Sequence, residues 1–265
     1  MYTSFQLAKK YIHYYVTASN GNGQGVDSSF VLSFVSNVLS NKSGFTAPAE
    51  VERLRNELLH DQRLLEIEDF GAGSRITKTK KRSVAELAHS ALKSRKYAQL
   101  LFRLTHFYQP KTVLELGTSL GITTSYLAKA APTATVTTIE GSSAIAAVAA
   151  ENFVKLGVQN IRSLVGNFDK LLPAVIQQLT SIDLAYIDGN HRQEPTVRYF
   201  QQLLPALHHQ SILVFDDIHW SAEMESAWEE IKHHPSVTCT VDVFFLGFVF
   251  FRNDFGGKQH FQVRF

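Results

Sequence analysis

One cysteine, Cys239, stands in a chain of 265 residues. Its solitude excludes an intrachain disulfide scaffold and a cysteine-ligated metal cluster. An excess of one charge is also missing: 26 Lys and Arg face 24 Asp and Glu, a net of +2. That balance offers no field to a nucleic-acid backbone or an anionic membrane. The eleven histidines add positive charge only at lower pH. Long apolar runs are absent too. "VFFLGFVFF" at Val243–Phe251 falls far short of the roughly twenty residues that span a bilayer. The opening "MYTSFQLAKKYIHYY" lacks the continuous apolar stretch of a signal peptide. The expectation is a reduced, cytoplasmic protein with no nucleic-acid or membrane partner; a homodimer is left open.

What is present is a globular composition, 45% hydrophobic against 19% charged, able to bury a sizeable core. We expect an N-terminal helical cap or substrate segment over 1–85 and a catalytic domain over 86–265. "FVLSFVSNVL" (Phe30–Leu39) and "AEVERLRNELLHD" (Ala49–Asp61) have helical spacing, and around them lie the loop-like "SNGNGQGVDSS" and "SNKSGFTAP". "ITKTKKRS" (Ile76–Ser83) is short enough to be a solvated linker rather than an anion patch. "VAELAHSALKSRKYAQLLFRLTHFY" reads as two helices.

From Lys111 onward strands and helices alternate. Strands are predicted at 112–116, 135–140, 160–165, 182–188 and 211–216. The helical spacings are Phe168, Leu172, Val175 and Leu179; Val197, Phe200, Leu204 and Leu207; and Met224, Ala227, Trp228 and Ile231. This alternation predicts an α/β fold, a doubly wound, Rossmann-like parallel sheet covered on both faces. "VTCTVDVFF" and "GFVFFR" add an antiparallel terminal hairpin, with its turn expected around Leu246–Gly247.

Two glycine loops compete for a cofactor. In such sheets the first strand–loop–helix brings backbone N–H groups to the ligand, and an acid ending the second strand bonds a ribose. "VLELGTSLGITT" passes, because "TVTTIE" delivers Glu140. "GAGS" fails: after Gly71 and Gly73 comes "RITKTKKRS", with no helix start and no acidic strand end. Gly117 and Gly121 form G-x-x-x-G, not the G-x-G-x-x-G of dinucleotide folds. Glu115 beside the loop would repel a pyrophosphate but suits a cationic ligand such as S-adenosylmethionine.

On these residues the stretch from about Lys111 to Arg252 resembles the class I S-adenosylmethionine-dependent methyltransferases, particularly the catechol and caffeoyl-CoA O-methyltransferase group. "VLELGTSLG" is similar to that group's first motif and "TIEG" to its second-strand acid. "GNF" is similar to its adenine loop, and "YIDGNH" and "VFDDIHW" fall where its metal-site strands end. "GQGVDSSFVLSFV" also resembles a bacterial methyltransferase group. The resemblance implies seven strands, the antiparallel seventh lying between the fifth and sixth. It implies cofactor contacts from Glu115, Gly117, Thr118, Ser119, Gly121, Thr123, Glu140, Gly141, Gly166, Asn167, Phe168 and Asp188.

Asp188 ends the fourth strand of this alternation; Asp216 and Asp217 end the fifth. In the implied strand order these three carboxylates converge. Unpaired, they would repel one another, and a divalent cation (Mg²⁺, Mn²⁺ or Ca²⁺) relieves that. The group carries Asp-Asn where this chain has Asp216-Asp217, and the alternative is that the pair ties the following helix and loop. His191, three residues after Asp188, occupies the position of the catechol enzymes' lysine base; helix capping and metal ligation are the alternatives. Catalysis is therefore assigned to His191 and Asp188. His208–His209 and His233–His234 read as helix-end residues. His219 and Trp220 line a substrate pocket or simply pack, and Cys239 belongs to the core.

The expected function is methyl transfer from S-adenosylmethionine to a hydroxyl of a small molecule. A nicotinamide-dependent dehydrogenase and a non-catalytic cofactor-binding module are the alternatives. The [DNS]-P-P-[YFW] motif of amino-methylating nucleic-acid enzymes is absent, with "DGNH" in its place.

Overall fold

The computed structural model describes residues 1–19, 28–41, 46–67 and 81–265. Gly71, Gly73, most of "ITKTKKRS" and the centres of the two N-terminal loops lie outside the described residues. The chain begins with helices α1 (Ser4–Thr17) and α2 (Ser29–Phe34), the latter running into a π turn at Val35–Leu39. Then come α3 (Ala49–Leu58), β1 (Leu64–Glu66), β2 (Lys81–Ser83), α4 (Val84–Ala91) and α5 (Arg95–Tyr108). The alternating part comprises β3 (Thr112–Leu116), α6 (Ile122–Ala130), β4 (Thr135–Glu140), α7 (Ser143–Lys155), β5 (Ile161–Val165) and α8 (Phe168–Gln178). It continues with β6 (Ile182–Ile187), α9 (Gln193–Leu203), β7 (Leu207–Asp216), α10 (Ala222–His233), β8 (Cys239–Asp242), β9 (Leu246–Phe250) and β10 (Gln259–Gln262). The fold is α/β, in two compact units: Met1–Lys42 with Leu179–Phe265, and Ser43–Gln178.

In the Ser43–Gln178 unit, β3 pairs β4 and β4 pairs β5, both parallel. Parallel neighbours need crossover connections, which α6 and α7 supply. Val51, Leu54 and Leu58 form the apolar face of α3. They share a buried cluster with Leu87 of α4, Phe102 of α5 and Tyr126 of α6. Local signals set the helix ends. Ser83 and Glu86 form a reciprocal capping box on α4, Ser142 caps α7, and α5 stops where Gln109 turns left-handed.

The other unit orders its strands β10-β8-β9-β7-β6. β6 pairs β7 in parallel, and β9 runs antiparallel to both β7 and β8. This places β9 between the fifth and sixth strands of the alternation, as the resemblance implies. The count of seven is corrected. β10 adds an eighth strand, parallel to β8; five strands lie in this unit and three in the other. Its four residues alternate in exposure and follow a polar, glycine-bearing loop, so the run carries little apolar signal. The hairpin turn is also corrected. It sits at Val243–Phe245, where the Phe244 amide donates to Asp242 Oδ1 at 2.7 Å, and Leu246 and Gly247 belong to β9. Helix α1, opened by a Thr3–Gln6 capping box, packs Tyr14 and Ala18 against Phe244. Among the described residues no helix is long and apolar enough to cross a membrane.

Candidate functional site

The residues singled out above fall into two clusters, one in each unit. In the Ser43–Gln178 unit, the loop after β3 is closed by its own backbone. The Gly117 and Thr118 amides donate to the Ile139 carbonyl at 3.0 and 3.3 Å, and the Gly121 amide to the Thr118 carbonyl at 2.9 Å. Gly121 has φ +78°, and an added Cβ would lie 2.5 Å from the Phe153 ring. Only glycine combines that conformation with that approach. Glu140, at the end of β4, accepts the Ser119 amide on Oε2 at 2.8 Å and the Ser142 amide on Oε1 at 3.0 Å. Each carboxylate oxygen has two acceptor sites, so Glu140 can fix the loop and still accept from a ligand. Gly141, the next residue, and Thr123, in the first turn of α6, are half-buried.

Glu115 is fully buried. Its Oε2 accepts from the Thr124 hydroxyl and, at 2.7 Å, from the Thr138 hydroxyl; Thr138 also meets Thr118 at 2.6 Å. Sequence reading missed Thr124 and Thr138, although Thr138 is the in-register partner of Glu115 on β4. After β5, the Gly166 amide donates to the Glu140 carbonyl at 2.8 Å, bringing the "GNF" loop to the same strand end. Asn167 Oδ1 accepts the Asp169 amide at 2.7 Å and starts α8, whose first residue is Phe168.

In the other unit, Asp188 follows β6 and Asp216 closes β7. Asp188 Oδ2 accepts from the Tyr186 hydroxyl at 2.9 Å, and its Oδ1 lies 3.3 Å from His191 Nε2. Ligand atoms of Asp188, His191 and Asp216 all lie within 4.8 Å of one another. Asp217 is not in that set. Its backbone is left-handed, φ 52°, and its amide donates to the Phe245 carbonyl at 2.8 Å. Burial would depress the His191 imidazole, but the Asp188 hydrogen bond and the charges of Asp188, Asp217 and Asp216 outweigh it and hold the ring at about 9.

Backbone strain marks both clusters. The described residues include six non-glycine positions with positive φ, and four of them are Ser119, Asn190, His191 and Asp217. Such conformations cost on the order of 1–3 kcal/mol each and concentrate at functional sites.

The donor set of Asp188, His191 and Asp216 fits a divalent cation. Two carboxylates supply the charge, an imidazole supplies a neutral nitrogen, and the mixed set is less hard than three carboxylates. Asp216 is almost fully buried, which favours a counter-charge beside it.

Residues 114–218 match the family model described as a methyltransferase domain. No curated protein matches the sequence. Among solved structures, the chain is similar to a candidate caffeoyl-CoA O-methyltransferase from Staphylococcus aureus, with 20% identity, TM-score 0.55 and coverage of 63% of this chain and 88% of that one. It is similar to the O-methyltransferase TomG of tomaymycin synthesis from Streptomyces achromogenes, in complex with S-adenosylmethionine, with 21% identity, TM-score 0.53 and coverage of 61% and 82%. An O-methyltransferase from Bacillus cereus in complex with S-adenosylhomocysteine gives 16% identity, TM-score 0.58 and coverage of 81% and 96%. These likenesses establish a shared fold.

Proposed function

We propose that this chain, whose residues 114–218 match the family model of a methyltransferase domain, transfers a methyl group from S-adenosylmethionine to a hydroxyl of a small acceptor. One observation carries the reading: Glu140 at the end of β4 holds the glycine loop through the Ser119 amide. In this reading its remaining acceptor sites take the ribose hydroxyls, the loop from Gly117 to Thr123 with Gly141 faces the amino-acid and ribose groups, and Gly166–Phe168 flanks the adenine. Glu115 supplies negative charge toward the cationic end of the cofactor. The acceptor oxygen attacks the methyl carbon in line with the departing sulfur. The products are the methyl ether, S-adenosylhomocysteine and a proton. Holding the two reactants near contact distance can supply about 7–11 kcal/mol of the barrier.

Asp188 orients His191, and His191 takes the hydroxyl proton. A divalent cation on Asp188 and Asp216 would supply Lewis acidity to the acceptor hydroxyl and the positive charge that the carboxylates otherwise draw from the ring. The 4.8 Å grouping favours a second reading in which His191 is itself a ligand. Segment 1–85 selects the acceptor. The test is S-adenosylhomocysteine release across a panel of phenols, sugars and thioesters, with and without Mg²⁺ or Mn²⁺. Release with no member of the panel, or NADH oxidation in its place, would count against the reading.

A further inference from the structure

Outside these clusters, Glu225, in the first turn of α10, joins several polar groups. Its Oε2 accepts the Tyr2 hydroxyl at 2.7 Å, and Lys10 Nζ reaches both carboxylate oxygens at 3.0 Å. Oε1 also lies 3.1 Å from His219 Nδ1. The far nitrogen of that ring meets Asp242 Oδ2 at 2.8 Å, and the ring stacks on Phe244. The Tyr2 amide donates to the Trp220 carbonyl at 3.1 Å. At the other end of α1, Arg264 donates to the carbonyls of Ala18 and Val16 at 3.1 and 3.2 Å. Helix α1 is thus fastened at both ends. Its N-terminal fastening lies on the loop Asp216–Trp220, whose Asp217 amide is held by Phe245.

An acid in the first turn of a helix needs a single favourable contact, with the helix dipole. Glu225 instead gathers a phenol and an ammonium from the N-terminal segment and an imidazole from the loop after β7. Solvent-exposed ion pairs contribute little, but this carboxylate is only 26% exposed and the Asp242 behind His219 is 5% exposed. Here charged hydrogen bonds keep their strength.

We propose that Glu225 is a positioning residue: by joining Tyr2 and Lys10 of the N-terminal segment to His219, it fixes the loop bearing Asp216 and Asp217. This rests on the methyl-transfer reading for its kinetic consequence and on the hydrogen bonds alone for its structural one. Glu225 touches neither acceptor nor cofactor. It acts through the loop.

The experiment uses the full chain with Glu225→Ala, Glu225→Gln and Lys10→Met. Amide hydrogen exchange over Ser4–Thr17 and Ile218–Trp220 should quicken at least about tenfold in Glu225→Ala, because charged hydrogen bonds worth roughly that factor are lost. At saturating S-adenosylmethionine, kcat/KM for the acceptor should fall about ten- to a hundredfold while the Kd for S-adenosylhomocysteine stays unchanged. Glu225→Gln, which keeps an acceptor oxygen, should recover part of both. Lys10→Met, which leaves the loop's own residues intact, should show the same pattern more weakly. Unchanged exchange in both segments would overturn the fastening. Faster exchange with unchanged kcat/KM would overturn the positioning role and leave α1 a structural strap. If the unmodified chain transfers methyl groups to no acceptor, the functional reading fails, and the exchange result alone decides the fastening.

Discussion

The Ser119 amide donates to Glu140 Oε2 at 2.8 Å, so the acid that ends β4 also holds the loop that follows β3. Replacing Glu140 by Ala removes this tie and the proposed ribose contact together. Charged hydrogen bonds contribute about 1.5–3 kcal/mol each. Affinity for S-adenosylhomocysteine should therefore drop by about ten- to a hundredfold. Calorimetric affinity equal to that of the parent would remove Glu140 from the cofactor site.

His191 separates the two readings of the carboxylate cluster. As a proton acceptor its loss in His191→Ala should lower kcat by roughly 10²–10⁴ at saturating acceptor, with the response to Mn²⁺ retained. As a ligand its loss should abolish the Mn²⁺ response, as Asp216→Ala should. In either case chelation should depress activity and leave cofactor binding largely intact. Full activity in excess chelator would return Asp188 and Asp216 to a purely structural role.

The His219 network gives a pH dependence of known sign. Burial opposes a charged His219, but the hydrogen bonds to Asp242 and Glu225, with their charges, hold it at about 9. Glu225 is raised by burial, but His219, Tyr2 and Lys10 hold it down at about 2. A histidine raised in the folded state stabilises fully below its unfolded value of about 6.5 and loses that contribution as pH climbs through about 9. A depressed glutamate stabilises fully above about 4.5 and loses its contribution as pH falls toward about 2. The joint contribution, on the order of 2 kcal/mol, should therefore be greatest between about pH 4.5 and 6.5. Denaturant unfolding from pH 5 to 9 should show the parent losing stability relative to His219→Gln as pH rises. Parallel curves for the two proteins would show that the His219 charge contributes nothing.

Gly247 supplies a test of packing. It lies in β9, and an added Cβ would stand 2.7 Å from the Trp228 ring. Gly247→Ala should lower stability by about 1–3 kcal/mol through overpacking, read as a lower Tm with no change in cofactor affinity. An unchanged Tm would mean that Trp228 can move aside at no cost.

Much of this was legible in the chain. "TVLEL" and "TVTTIE" give β3 and β4 to the residue, because buried parallel strands between glycine and proline punctuation leave a sharp apolar edge. β7 begins at Leu207, four residues before its predicted start at Ser211, since "LHHQ" is polar. Gly247 reads as a turn residue in sequence, yet its smallness serves Trp228 and not the chain reversal. Helix α1 and β10 escaped notice because their anchors, Tyr2, Lys10, Gln259 and Gln262, are polar and find their partners far along the chain. The same holds at the carboxylates. Spacing named Asp188, Asp216 and Asp217, but the left-handed turns at His191 and Asp217 decide which side chains meet, and sequence does not display a φ angle.

The central claim is met most directly by calorimetric titration of the unmodified chain with S-adenosylmethionine and, separately, with NADH. The account predicts saturable binding of S-adenosylmethionine, lost or much weakened in Glu140→Ala, and no heat of binding with NADH. Saturable NADH binding in the absence of any S-adenosylmethionine binding would contradict it.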